Sequence, residues 1–194
     1  MKAVWVGATL VVCLIFLQAA APDSPGADKP QFTSDNQLLR PANYREWIFL
    51  SAGLGMSYTS QMGEHQMFTN VFVPQWAYAE FLKSGKWPDK TTFVVEERGA
   101  ESKGSIVKGG HYQNEDLMGI GVEVKDEARF PEKWAYFSFD DSGKSAAANP
   151  KAGCWQCHED HAAVEHSFVQ FYPTLKPVAK KFGTYKEAAE KPVD

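Results

Sequence analysis

The stretch Val71–Gly99, VFVPQWAYAEFLKSGKWPDKTTFVVEERG, sets one helical segment between two extended ones. The run 67–73, MFTNVFV, is rich in β-branched and aromatic residues and reads as a strand. Pro74 suits the first turn of a helix and Gly85 its end, so PQWAYAEFLKSG at 74–85 reads as a helix. Its packing face would be Trp76, Tyr78, Ala79, Phe81 and Leu82. TTFVVEERGA at 91–100 is extended again, with Phe93, Val95 and Glu97 on one face and Val94 and Glu96 on the other. Outward from here, YREWIFLSAG at 44–53, MGIGVEVKD at 118–126 and WAYFSFD at 134–140 share the same strand character. Helical signal returns over CWQCHEDHAAVEHSFVQF and around LKPVAKKF. The expected class is α+β: a mainly antiparallel sheet of about five strands, a few helices, and a C-terminal segment holding a Cys-Cys-His cluster.

The chain has 194 residues, 44% hydrophobic and 13% aromatic, enough for one domain with a sizeable core. A net charge of −4 argues against a nucleic-acid surface, which would show a basic patch. Residues 1–21 carry Lys2, an apolar run from Ala3 to Leu17 and small residues at 19–21, the pattern of a secretory signal. The run is shorter than the roughly 20 residues of a membrane span, although an uncleaved anchor is the alternative. A periplasmic location and no span after cleavage are therefore expected. Residues 22–42 read as a flexible lead-in, 43–182 as the domain and 183–194 as a tail. Once Cys13 leaves with the signal, only Cys154 and Cys157 remain.

The sequence GCWQCHEDH starts at Gly153, and Cys-x-x-Cys-His is the attachment signature of c-type haem. Two thiols on one helical turn can each add to a haem vinyl group, and the adjacent imidazole then reaches the iron. Cys154 and Cys157 are the expected thioether anchors of a single haem c, and His158 the axial ligand. Three alternatives compete: a zinc site recruiting His161 and His166, a thioredoxin-like redox pair, and a structural disulfide. A second iron ligand would come from Met62, Met67, Met118, His65 or His111, and no Met follows Met118. His161 and His166 could cap the helix or contact a haem propionate.

A haem motif behind a β-rich domain, together with NYREWIFL, the opening stretch, GVEVKDEARFPEKWAYFSF and FVQFYPTL, resembles the cytochrome P-460 family, which includes cytochrome c′-beta. The resemblance runs from about Asn43 to Pro177. It implies an antiparallel sheet, a homodimer and a five-coordinate haem with an open distal site. Members of the P-460 type oxidise hydroxylamine and crosslink a lysine to the macrocycle; the c′-beta type lacks the crosslink and binds nitric oxide and carbon monoxide. The lysine's place falls on Val95, which places this chain nearer the c′-beta type. The family's distal carboxylate would fall near Gly121, with Glu123 on the same strand face as the candidate proton acceptor. Its distal phenylalanine and arginine would fall in EHQMFTN, which offers His65, Met67 and Phe68 but no arginine. Phe68, Phe93 and Val95 would then form an apolar lid over the haem. The expected function is binding of nitric oxide or another small haem ligand. The alternatives are a hydroxylamine or nitric oxide oxidoreductase, and an electron-transfer cytochrome with a redox partner protein.

Overall fold

The structure is a computed structural model describing residues 28–56, 66–104, 109–140 and 142–191. The proposed signal segment, Met62 and His65 lie outside the described residues. In chain order the elements are β1 (Leu38–Leu39), a 3-10 turn (Tyr44–Glu46), β2 (Ile48–Leu54), β3 (Met67–Val73), α1 (Gln75–Ser84) and β4 (Thr92–Glu101). They continue with β5 (Tyr112–Lys125), β6 (Trp134–Phe139), β7 (Ser145–Ala146) and α2 (Cys154–His161). A 3-10 turn (Val169–Phe171), α3 (Lys176–Lys181) and a last 3-10 turn (Glu187–Glu190) complete the fold. The main sheet is a five-stranded antiparallel array in the order β2-β3-β4-β5-β6, and β1 pairs with β7 in a small second sheet. The class is α+β, with each of the five expected strands present.

Two expected boundaries move. Residues 44–46 form a turn rather than the start of a strand, because Tyr44 and Arg45 turn aside to reach Glu96 across the sheet. β5 begins at Tyr112, six residues earlier than expected. Its first half pairs only with β4 and reaches a core only through the half-buried Leu117, so no apolar alternation marks it in the sequence.

Alternation along the strands divides the apolar residues between two cores. Phe93 joins Val73, Phe81, Trp87, Trp134 and Tyr172 on one face, while Val94 joins Val122, Val124 and Phe137 on the other. α1 lies on the first face through Ala77 and Phe81, both fully buried and one turn apart, whereas Leu82 is turned to solvent. The helix stops at Gly85, whose φ of 67° is left-handed and whose N–H donates to the Phe81 carbonyl at 2.7 Å. A Cβ at Gly85 would also sit 2.9 Å from Phe182 Cβ, so the stop doubles as a close approach of the C-terminal segment.

The segment read from composition as a flexible lead-in is packed from Asp28 onward. Leu38 is fully buried in the second core, and Asn43 Nδ2 donates to Asp28 Oδ1 at 2.8 Å. The tail is likewise tied down, with Thr184 Oγ1 donating to the Gly85 carbonyl at 2.7 Å and the Lys186 N–H to that of Ala163 at 2.8 Å.

Behind the sheet, Glu96 is buried among Tyr44, Arg45 and Arg98. Arg45 Nη2 and Arg98 Nε each donate to it at 2.6 Å, and the Tyr44 hydroxyl donates as well. Burial pushes its carboxyl pKa up, but the hydrogen bonds from Arg98, Tyr44 and Arg45 outweigh that and hold it below the usual value near 4.5. A depressed folded-state pKa contributes stability that is present above the unfolded value and lost as pH falls through the folded one. Glu96→Gln should therefore lower stability at neutral pH and flatten its decline below about pH 4.5. Urea melts across that range check this; parallel curves for the two proteins would contradict it.

Candidate functional site

Gly153 precedes α2 with φ of 108°, a conformation L side chains rarely adopt, and the helix starts directly at Cys154. Cys154, Cys157 and His158 then occupy positions i, i+3 and i+4 and share one side of the helix. Both thiols are free, Cys154 exposed and Cys157 half-buried. Cys154 Sγ lies 3.7 Å from Asn149 Nδ2, which also donates to Ser138 Oγ at 2.9 Å, placing this end of α2 beside β6.

His158 is fixed by three contacts. Its Nδ1 is 2.7 Å from the His166 carbonyl, which can only accept, so Nδ1 carries the proton and Nε2 presents a lone pair. The ring lies 4.5 Å from that of Tyr136 and 4.4 Å from that of Phe168. Its Nε2 faces Glu123 Oε1 at 3.7 Å, too long for a hydrogen bond.

Opposite α2, the sheet presents a shallow trough. One cross-strand row is Val71, Val95, Gly121 and Ser138, and the next is Phe93, Glu123 and Tyr136. The two glycines Gly119 and Gly121 fall on the same face of β5, where they remove side chains. A Cβ at Gly121 would touch Val95 Cβ at 3.7 Å, and one at Gly119 would come 3.0 Å from Glu97 Oε2. Glycines inside a strand mark places where something approaches the backbone closely. Around this trough Glu123 Oε2 and the Tyr136 hydroxyl are buried with no hydrogen-bond partner. Burial pushes the Glu123 carboxyl up, with His158 pulling the other way, and burial with the nearby Glu123 and thiols pushes the Tyr136 phenol up. Each unpaired group costs about 1–3 kcal/mol, a cost that a bound group completing the site would relieve.

These residues fit a covalently attached haem: two thiols at thioether spacing, a free imidazole nitrogen, and a cradle where Cβ atoms are missing. They fit zinc less well. Among the described residues no three His, Cys, Asp or Glu side chains gather in a way that could hold a metal ion. His166 instead sits 3.0 Å from Glu159 through Nε2, with its ring against Trp155. Burial brings its pKa down to about 4, although Glu159 opposes the shift. It neither caps α2 with its side chain nor reaches toward Cys154.

The expected site residues separate. Cys154, Cys157, His158, Val95 and Glu123 come together around the trough, and Glu123 faces the site rather than solvent. Phe93 shares that face but is fully buried beneath it against Trp87 and Tyr172, so it is core and not lid. Phe68 has the parity of Phe72, which packs against Tyr44 behind the sheet, and so points away from the trough. The wall is not wholly apolar either, since Glu97 and Glu123 stand on either side of Val95. Met118 is the extra residue of a β-bulge and is exposed, and His111 is exposed in its loop. Gly119, Tyr136, Phe168 and the His166 carbonyl were not anticipated. The alternation Gly119-Ile120-Gly121 within a strand was the signal available for the cradle.

A search of curated proteins finds no match. The family model described as Cytochrome P460 matches residues 41–169, well over half of the chain. That span contains the trough strands, both thiols, His158 and the turn that orients it. The chain belongs to the cytochrome P460 family, a family of haem-binding cytochromes.

Proposed function

We propose that the chain is an exported, homodimeric, periplasmic protein carrying one haem c. Cys154 and Cys157 would hold it by thioethers and His158 would ligate it through Nε2, leaving the sixth position for nitric oxide or another small haem ligand. When bound, the haem supplies a redox-active iron with a coordination site for a diatomic or nitrogen-oxide ligand. The observation that carries this reading is the Nδ1–H of His158 held by the His166 carbonyl, which leaves the Nε2 lone pair without a hydrogen bond on the side of the trough and Glu123. Val95 lies between Val71 and Gly121, so no amine stands at the cross-strand positions where the resemblance places a crosslinking lysine. Val71 and Val95 give the trough an apolar wall, while Glu123 sets a buried carboxyl close to His158.

Glu123 favours a second reading, an oxidoreductase acting on hydroxylamine or nitric oxide. Glu123 is a buried carboxyl on the sheet face that His158 meets, and it could exchange protons with a substrate bound against that face. Absorption spectra of the ferric and ferrous protein, before and after nitric oxide and hydroxylamine, separate the two. Gas binding predicts a shift with nitric oxide and no turnover of hydroxylamine; turnover with an added oxidant would favour the enzyme. A low-spin six-coordinate spectrum indifferent to nitric oxide would contradict both and favour electron transfer.

The cradle has its own test. Gly121→Leu should fold, because its Cβ meets only Val95 at van der Waals distance, but the longer side chain should fill the trough. Haem loading, read as the ratio of haem to protein absorbance, should fall several-fold. Full loading with unchanged nitric oxide affinity would place the haem elsewhere.

A further inference from the structure

The carbonyl that fixes His158 belongs to a tight turn, and that turn is gripped from both sides. It is closed by the Ser167 N–H donating to the Val164 carbonyl at 2.9 Å, with the Val164 N–H returning to Ser167 at 3.3 Å. Between them Glu165 has φ of 50°, left-handed, which costs a residue with a side chain about 1–2 kcal/mol and glycine almost nothing. A glutamate here works against the turn's own preference, so its use lies in what the side chain reaches. Both of its carboxylate oxygens meet Lys125 Nζ, at 3.0 and 2.9 Å.

Lys125 ends β5, two residues beyond Glu123, and its side chain is only 7% exposed. Its ammonium also donates to the Trp87 carbonyl at 2.7 Å, and Glu127 stands further off at 3.6 Å. The opposite grip comes from Trp87 as well, since its Nε1 donates to Ser167 Oγ at 2.6 Å and that hydroxyl donates to the Val164 carbonyl at 2.8 Å. Residues 165 and 167 are thus both tethered to the loop and strand end beside the trough. His166 lies between them, and its carbonyl has little freedom to move away from His158 Nδ1.

We infer that Lys125 and Glu165 are positioning residues for the axial histidine: their half-buried ion pair holds the His166 carbonyl against His158 Nδ1 and so sets how strongly the imidazole donates to the iron. The inference rests on His158 being the axial ligand. A firm Nδ1–H···O=C bond raises the basicity of the ligand and favours the ferric state, and a loosened one favours the ferrous state.

The test uses the haem-loaded protein and the variants Lys125→Met, Lys125→Arg and Glu165→Gln. The readouts are the midpoint potential and the iron–histidine stretching band of the ferrous form. Lys125→Met and Glu165→Gln should each shift the ferric/ferrous balance about tenfold toward ferrous, about 59 mV for one electron, and lower the stretching frequency. Lys125→Arg should restore most of both, because it keeps the charge pairing. Unchanged potential and band in Glu165→Gln, which removes charge without creating a cavity, would overturn the inference even if Lys125→Met failed to fold. So would equal shifts in Lys125→Arg and Lys125→Met. Absence of an iron–histidine band from the unmodified five-coordinate protein would instead strike at His158 as ligand.

Discussion

Cys154→Ala/Cys157→Ala should give a folded protein whose haem, if any is retained, leaves with acidified acetone. Neither thiol takes part in the two cores, and one is exposed, so the change in folding stability should stay within about 0.5 kcal/mol. What is lost is attachment. With both thioethers gone, the haem would be held only by His158 and by contact with the trough, whose wall at Ser138 opens to solvent. Each single variant should keep the haem through its remaining thioether. Solvent extraction followed by absorption of both phases checks this directly. Haem that stays with the double variant would refute the assignment of the two cysteines.

Phe93→Ala is expected to act by a different route. The side chain is fully buried, with its ring 4.7 Å from Trp87, 6.2 Å from Trp134 and 6.4 Å from Tyr172. Truncating a phenylalanine in such a place costs about 3–5 kcal/mol, a third or more of the stability of many domains. Denaturant unfolding should show that loss, while any haem-loaded fraction that remains folded should keep its nitric oxide affinity. Were Phe93 part of a lid, the order would reverse: a small stability change and an altered ligand affinity.

That contrast shows where the sequence was readable. Strand periodicity placed Phe93 and Val95 on one face correctly, because the alternation is unbroken from Thr92 to Glu97 and sends Phe93 and Val94 to opposite cores. Periodicity could not say how deep each residue lies, and Phe93 sits beneath the surface on which Val95 is displayed. Phe68 enters the expected lid only by matching EHQMFTN to the family's distal segment, which carries no local mark of its register. A slip of one residue in a strand moves a side chain to the opposite face, and that is where it sits. The Cys-x-x-Cys-His spacing was legible because it is local, all three residues falling on one helical side. The His166 carbonyl, by contrast, is a backbone atom brought in by a turn eight residues further on, and backbone acceptors leave no mark in a sequence. The same is true of the pairing of Lys125 with Glu165, separated by 40 residues. The packed lead-in was missed for a compositional reason: Pro, Asp and Ser dominate it, and among its described residues the buried Leu38 and the half-buried Phe32 anchor it on the second core.

The most direct test of the account is the intact mass and absorption spectrum of the protein expressed with a c-type haem assembly system. The account predicts a mass increase of one haem that survives denaturation, and an ordinary ferrous c-type spectrum. Unmodified mass would contradict the covalent site built on Cys154, Cys157 and His158, and a strongly red-shifted ferrous band would reveal a further crosslink despite valine at position 95.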